Sequence, residues 1–154
     1  MNLSETPPFR KDFLKAPWPF QQTFQTPLQD LKRFVGTIVS ANKSLREGCV
    51  IIEQVVFTPR HLNELLAKYS LPHSSGRIWS LTSIGCEETS ELLEATFGDW
   101  IDFLFVPAPK QFVIYADHDE YATFYANTKS NLNSVTEPLS QQGFKNVANY
   151  TRRL

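Results

Sequence analysis

The order in this chain lies in the alternation of apolar runs with polar gaps that begins after residue 33. Residues 49–57, Cys49-Val50-Ile51-Ile52-Glu53-Gln54-Val55-Val56-Phe57, are almost continuously apolar and rich in β-branched side chains. That pattern predicts a central strand covered on both faces. Val35, Thr37, Ile38 and Val39 predict an earlier strand over 34–39, and the alternation of 77–82 predicts another. Residues 101–106 and 111–116 are two more apolar runs. The short link between them, Pro107-Ala108-Pro109-Lys110, demands an antiparallel hairpin. Residues 144–150 close the chain as a last expected strand.

Helical spacing is clearest after Thr58-Pro59. Thr58 suits an N-cap, and Pro59 at the first helical position forfeits no bond it would have made. Phe57 and Leu62 occupy the two staple positions, while Leu62, Leu65, Leu66 and Tyr69 form one buried stripe. Nothing in this helix calls for a function. A second helix is expected from about residue 86 to Phe97, with Leu92, Leu93, Thr96 and Phe97 inward and Gly98 as its left-handed stop. A third covers about 128–142, aligns Leu132, Val135 and Leu139, and is interrupted by Pro138.

Strands, helices and a tight hairpin in this order predict an α+β domain over 34–154. Its sheet is expected to be mixed and mostly antiparallel, with about five strands and three helices packed on it. Residues 1–33 differ: Pro7, Pro8, Pro17, Pro19 and Pro27 break up any helix while Phe9, Phe13, Trp18, Phe20 and Phe24 supply apolar surface. This composition predicts an extended N-terminal arm packed on the body of the fold, with donation to a second subunit as the alternative.

At 154 residues and 42% hydrophobic, the chain is long enough to bury a core without disulfides or metal. Its net charge of -1 argues against a nucleic-acid binder. No apolar run reaches the roughly 20 residues of a membrane span. Two cysteines, Cys49 and Cys86, do not make a disulfide framework, so a reduced cytoplasmic protein is expected. With six glycines there is no phosphate loop or dinucleotide fingerprint, and no cofactor is expected. The near-neutral total conceals segregation. Residues 49–120 carry eleven acidic against four basic side chains, whereas both flanking segments are basic. Glu87, Glu88, Glu91, Glu94, Asp99 and Asp102 follow one another with no basic residue among them. A one-signed surface of this kind steers an oppositely charged partner, although charge runs more often simply solvate a face.

One constellation carries chemistry. Asp117-His118-Asp119-Glu120 follows an apolar strand, where a rigid strand end positions side chains. Asp117, His118 and Asp119 are candidates for an acid/base pair or metal ligands, with His61, His73 or Glu53 as possible completing groups. The competing reading is that Asp117 or Asp119 caps a following helix. Two functions are therefore expected. The first is a small non-enzymatic binding or regulatory protein, of an immunity or antitoxin kind by analogy of size and charge. It would bind a protein partner or a second copy through an acidic face (Glu87, Glu91, Glu94, Asp99, Asp102) or the aromatic arm (Phe9, Phe13, Trp18, Phe20). The second is a metal-dependent or acid/base hydrolase centred on Asp117, His118 and Asp119.

Overall fold

In the computed structural model, which describes residues 1–7, 18–74 and 76–153, the strand alternation produces one antiparallel sheet. Its strands are β1 (Asn2–Ser4), β2 (Phe20–Gln25), β3 (Glu47–Gln54), β4 (Trp79–Ile84), β5 (Asp102–Ala108), β6 (Val113–Ala116) and β7 (Tyr121–Ala126). They lie in the order β1-β4-β3-β5-β6-β7-β2, and every neighbouring pair is antiparallel. Four helices are described: α1 (Leu31–Ala41), α2 (Arg60–Lys68), α3 (Gly85–Gly98) and α4 (Lys129–Gln141). The α+β class holds, while the expected five strands and three helices become seven and four among the described residues. Three strands have no expected counterpart: β7 and the sheet's two edges, β1 and β2, which come from the stretch expected to be an arm; the sheet is also wholly antiparallel rather than mixed. Phe9 and Phe13 lie outside the described residues.

Two neighbours and two buried faces make β3 as apolar as it is. Val50 and Ile52 face the helices with Leu81, Phe103, Phe105, Ile114 and Phe124. Cys49 and Ile51 face the other way with Leu104, Val106, Val113, Tyr115 and Tyr125. Trp18 and Ile78 pack on that second face, and the Arg152 guanidinium lies 3.9 Å from the centre of the Tyr115 ring. Under the helices, Phe34 meets Phe97, Phe124 and Phe144 edge-on, a favoured arrangement for aromatic pairs. Gly48 sits where β3 passes beneath α3. A Cβ there would lie 2.8 Å from the Phe105 ring and 2.9 Å from the Thr89 methyl, so the strand needs glycine at this point.

Residues 34–39 are helix rather than strand. Phe34, Val35, Ile38 and Val39 recur at helical spacing and fill the layer beneath α3 and α4, and this packing outweighs their β-propensity. The run 121–126 is strand β7 and not the approach to a helix, so Asp117 and Asp119 close a β-hairpin instead of capping a helix. The closing strand at 144–150 reduces to one bridge, Phe24 with Asn146, flanked by bonds from Gln25 N–H to the Lys145 carbonyl and from Val147 N–H to the Thr23 carbonyl. α4 begins at Thr128, whose hydroxyl accepts the Asn131 N–H, and continues through Pro138. No helix among the described residues is long and apolar enough to cross a membrane.

Candidate functional site

Two histidine–aspartate pairs meet at the end of the sheet where β3 finishes and β5 begins, Gln54 of β3 pairing there with Asp102 of β5. The turn 99–102, which leads from α3 into β5, holds two histidines with two aspartates. Asp99 Oδ1 accepts the His61 N–H at 3.1 Å and lies 2.6 Å from its Nδ1, while Oδ2 accepts the Leu62 N–H at 2.8 Å. Asp102 Oδ1 repeats this on His118, at 2.8 Å from both its backbone nitrogen and its Nδ1. A carboxylate can only accept, so each imidazole donates from Nδ1 and turns Nε2 outward. The turn itself is strained, with Trp100 at φ 54°, and it is closed by the Ile101 N–H bonding to the Thr96 carbonyl.

Asp99 also explains the start of α2. Neither Thr58 nor Pro59 supplies a side-chain cap, and Asp99, 37 residues further on, accepts the orphan N–H of Leu62 instead. The staple expected between Phe57 and Leu62 does not form: Leu62 is buried and Phe57 is 56% exposed. The pairing of β3 with β5 shifts register at Glu53 and ends one residue later, at Gln54 opposite Asp102, so residues 55–57 lie outside the sheet.

Asp117, His118 and Asp119 do not converge. Asp117 Oδ1 accepts the N–H groups of Asp119 and Tyr121, closing the hairpin, in which Glu120 takes φ 71°. Its Oδ2 lies 2.6 Å from the Arg152 guanidinium and accepts from the Tyr150 hydroxyl. His118 turns instead to Asp102, whose hydrogen bond raises its pKa above 6.5. Asp119 is exposed, its nearest oxygen 3.9 Å from His118 Nε2. Among the described residues no three His, Cys, Asp or Glu side chains are placed to hold a metal ion.

The acidic run divides by role. Asp99 and Asp102 are buried and bind backbone, as above. Glu88 caps Ile84 and pairs with the N-terminal ammonium, and the Ile84 N–H does most to lower its pKa. Glu91 bridges Lys68 (2.6 Å) and the Tyr69 hydroxyl (2.9 Å), which lower its pKa in that order. Glu87 stands exposed on the first turn of α3. Glu94 lines a groove of about 610 Å³ between α2, α3 and the residues ahead of α1. Leu28, Leu31, Leu65 and Ala95 form its apolar floor, and His61, Glu64, Lys68 and Glu91 stand along its walls. Glu64 and Glu94 make no hydrogen bond or ion pair among the described residues. Of the aromatic candidates, Trp18 is half-buried against the second face of the sheet, and Phe20 is 38% exposed on the edge strand.

Sequence reasoning assigned α2 no role, although it forms one wall of this groove. The available signal was Glu64, which repeats three residues after His61 on the side of the helix that turns to α3. No family model, curated protein or solved structure matches the chain.

Proposed function

We propose that this protein is a non-enzymatic protein-binding module whose groove between α2 and α3 accepts a basic, apolar segment of a protein partner. The observation that carries the reading is the pairing of a leucine floor with two carboxylates, Glu64 and Glu94, that make no ion pair within the described fold, the groove's Lys68 being paired with Glu91. An Arg or Lys side chain fits that chemistry, since its aliphatic stem covers leucine while its charged head meets a carboxylate. The same negative walls repel a phosphate backbone, which argues against nucleic acid. Both cysteines are free, as suits a reducing compartment such as the cytoplasm.

The test is calorimetric titration with a short peptide alternating Arg and Leu. Binding should weaken about tenfold or more in Glu64→Lys/Glu94→Lys and fall with added salt. Peptide affinity indifferent to both changes would remove the groove from consideration. One feature favours a second reading, an acid/base hydrolase centred on His118, which Asp102 orients while Asp117 and Asp119 stand apart from it. That reading requires turnover of ester or phosphate substrates that disappears in His118→Gln.

A further inference from the structure

α2 separates two unlike surfaces. On its α3 side lies the acidic groove. On its other side lie Pro59, Asn63 and Leu66, beside a smaller cleft of about 270 Å³ that His73 and Arg77 also line. Directly before the helix, Val55, Val56 and Phe57 are 40%, 41% and 56% exposed, the longest consecutive run of exposed large apolar side chains among the described residues. Arg60 and Arg77 flank this loop and make no ion pair or side-chain hydrogen bond among the described residues. They are two of only four basic residues in the acidic stretch 49–120. One side of α2 is therefore apolar and basic, the other apolar and acidic, with the exposed Ala67 on the ridge between them.

We infer that the groove's occupant is the Val55–Phe57 loop of a second copy of this chain, reciprocally, in an isologous dimer across α2. The inference rests on the binding reading above and names its partner. Charge fixes the symmetry. A two-fold axis running along α2 sets the two helices parallel and turns the basic side of each toward the acidic side of the other. An axis running across α2 would set acidic groove on acidic groove, which like-charge repulsion opposes. In the first arrangement Phe57 and its neighbours reach the Leu28, Leu31 and Leu65 floor at the matching end of the partner's helix. Arg60 and Arg77 then face Glu64 and Glu94 twice over. Such a contact is closed, so it stops at two copies rather than growing into a fibre. The small Ala67 on the ridge permits close approach of the helices.

The test is mass measurement by light scattering coupled to gel filtration, run over a concentration series on the full chain. Wild type is expected as a dimer. Phe57→Ser, Arg60→Glu/Arg77→Glu and Glu64→Lys/Glu94→Lys should each weaken dimerisation about tenfold or more. All of these side chains are exposed or line the surface, and an unchanged thermal melt confirms that each variant is folded. The decisive step mixes the two charge-reversed proteins: neither dimerises alone, yet together they form a heterodimer, because both contacts regain opposite charges. A wild-type monomer throughout the series overturns the inference, as does a dimer that ignores the charge reversals or reversed proteins that fail to combine. Capture of the wild-type monomer on anionic vesicles through Phe57 overturns it too. If the monomer still binds the Arg–Leu peptide through Glu64 and Glu94, the groove reading stands and only the second copy is lost.

Discussion

The turn 117–120 and the flanks of α2 lie toward the same end of the molecule and use their polar side chains in opposite ways. In the turn, Asp117 serves two backbone N–H groups, Arg152 and Tyr150, and His118 is clamped by Asp102. Beside α2, Glu64, Glu94, Arg60 and Arg77 have no such partners among the described residues, and an apolar loop stands out with them. A dense cluster of ionisable residues is thus a poor guide to function when a buried backbone lies next to it. Unsatisfied N–H groups away from water are costly, and the nearest carboxylates are recruited to them. Side chains left unengaged over an apolar floor are the ones available to another molecule.

The largest effect should come from separating Asp117 and Arg152. Asp117 is buried, and Arg152→Ala leaves its carboxylate with Tyr150 and two N–H groups but no countercharge. Breaking a buried pair in this way costs about 3–5 kcal/mol. The lower end of that range is expected because the Arg152 side chain is itself 32% exposed. Urea unfolding followed by tryptophan fluorescence would measure the change, and a loss well below 1 kcal/mol would show that Arg152 is not an anchor. Asp99→Ala comes next. It removes the cap supplied from outside α2, and losing a helix cap costs about 0.5–2 kcal/mol. Asp99→Asn should recover part of that loss, since an amide oxygen can still accept the Leu62 N–H.

How much of this was legible depended on whether a residue's role was local. The helix after Thr58-Pro59 begins within two residues of its expected start, and Leu62, Leu65 and Leu66 are buried as their spacing implied. β3 was readable as a central strand because burial on both faces leaves few polar positions for a sequence to show. The sequence of α1 reads as a strand, because Val35, Ile38 and Val39 suit a sheet locally and only their packing against other helices decides the matter. The edge strands were out of reach for a related reason. Asn2 pairs with Thr82, and Phe20 with Ala126, across separations that no local pattern encodes. The candidate groove suffered in the same way. Asp99 and Asp102 look like members of an acidic patch until the structure brings His61 and His118 to them, which leaves Glu64 and Glu94 as the unengaged pair.

His118 sharpens the contrast through pH. The Asp102 hydrogen bond raises the folded pKa of His118 above 6.5, so the protonated imidazolium binds the fold better than the neutral form. Its stabilisation is complete below the unfolded pKa and is lost as pH rises through the raised folded value. The melting temperature of wild type should therefore fall relative to His118→Gln across that window. Parallel curves for the two proteins would remove His118 from the pH response. Glu91 acts with the opposite sign. Lys68 and Tyr69 lower its pKa, so its contribution is present above the unfolded value and fades as pH drops through the folded one.

The smallest stability effect is expected where the proposed binding effect is greatest. Glu64→Ala and Glu94→Ala remove no hydrogen bond or ion pair within the described fold, and such surface changes usually stay within about 0.5 kcal/mol. Glu94 also follows Glu87 and Glu91 along α3, and like charges at this helical spacing repel by a few tenths of a kcal/mol. Truncating it should therefore leave stability unchanged or raise it slightly, whereas Asp99→Ala, five residues further along the same run, should lower it. Denaturant midpoints for the two alanine variants measured side by side would settle the difference. If Glu94→Ala proved as destabilising as Asp99→Ala, Glu94 would be another anchor, and the groove would have no free carboxylate there to offer a partner.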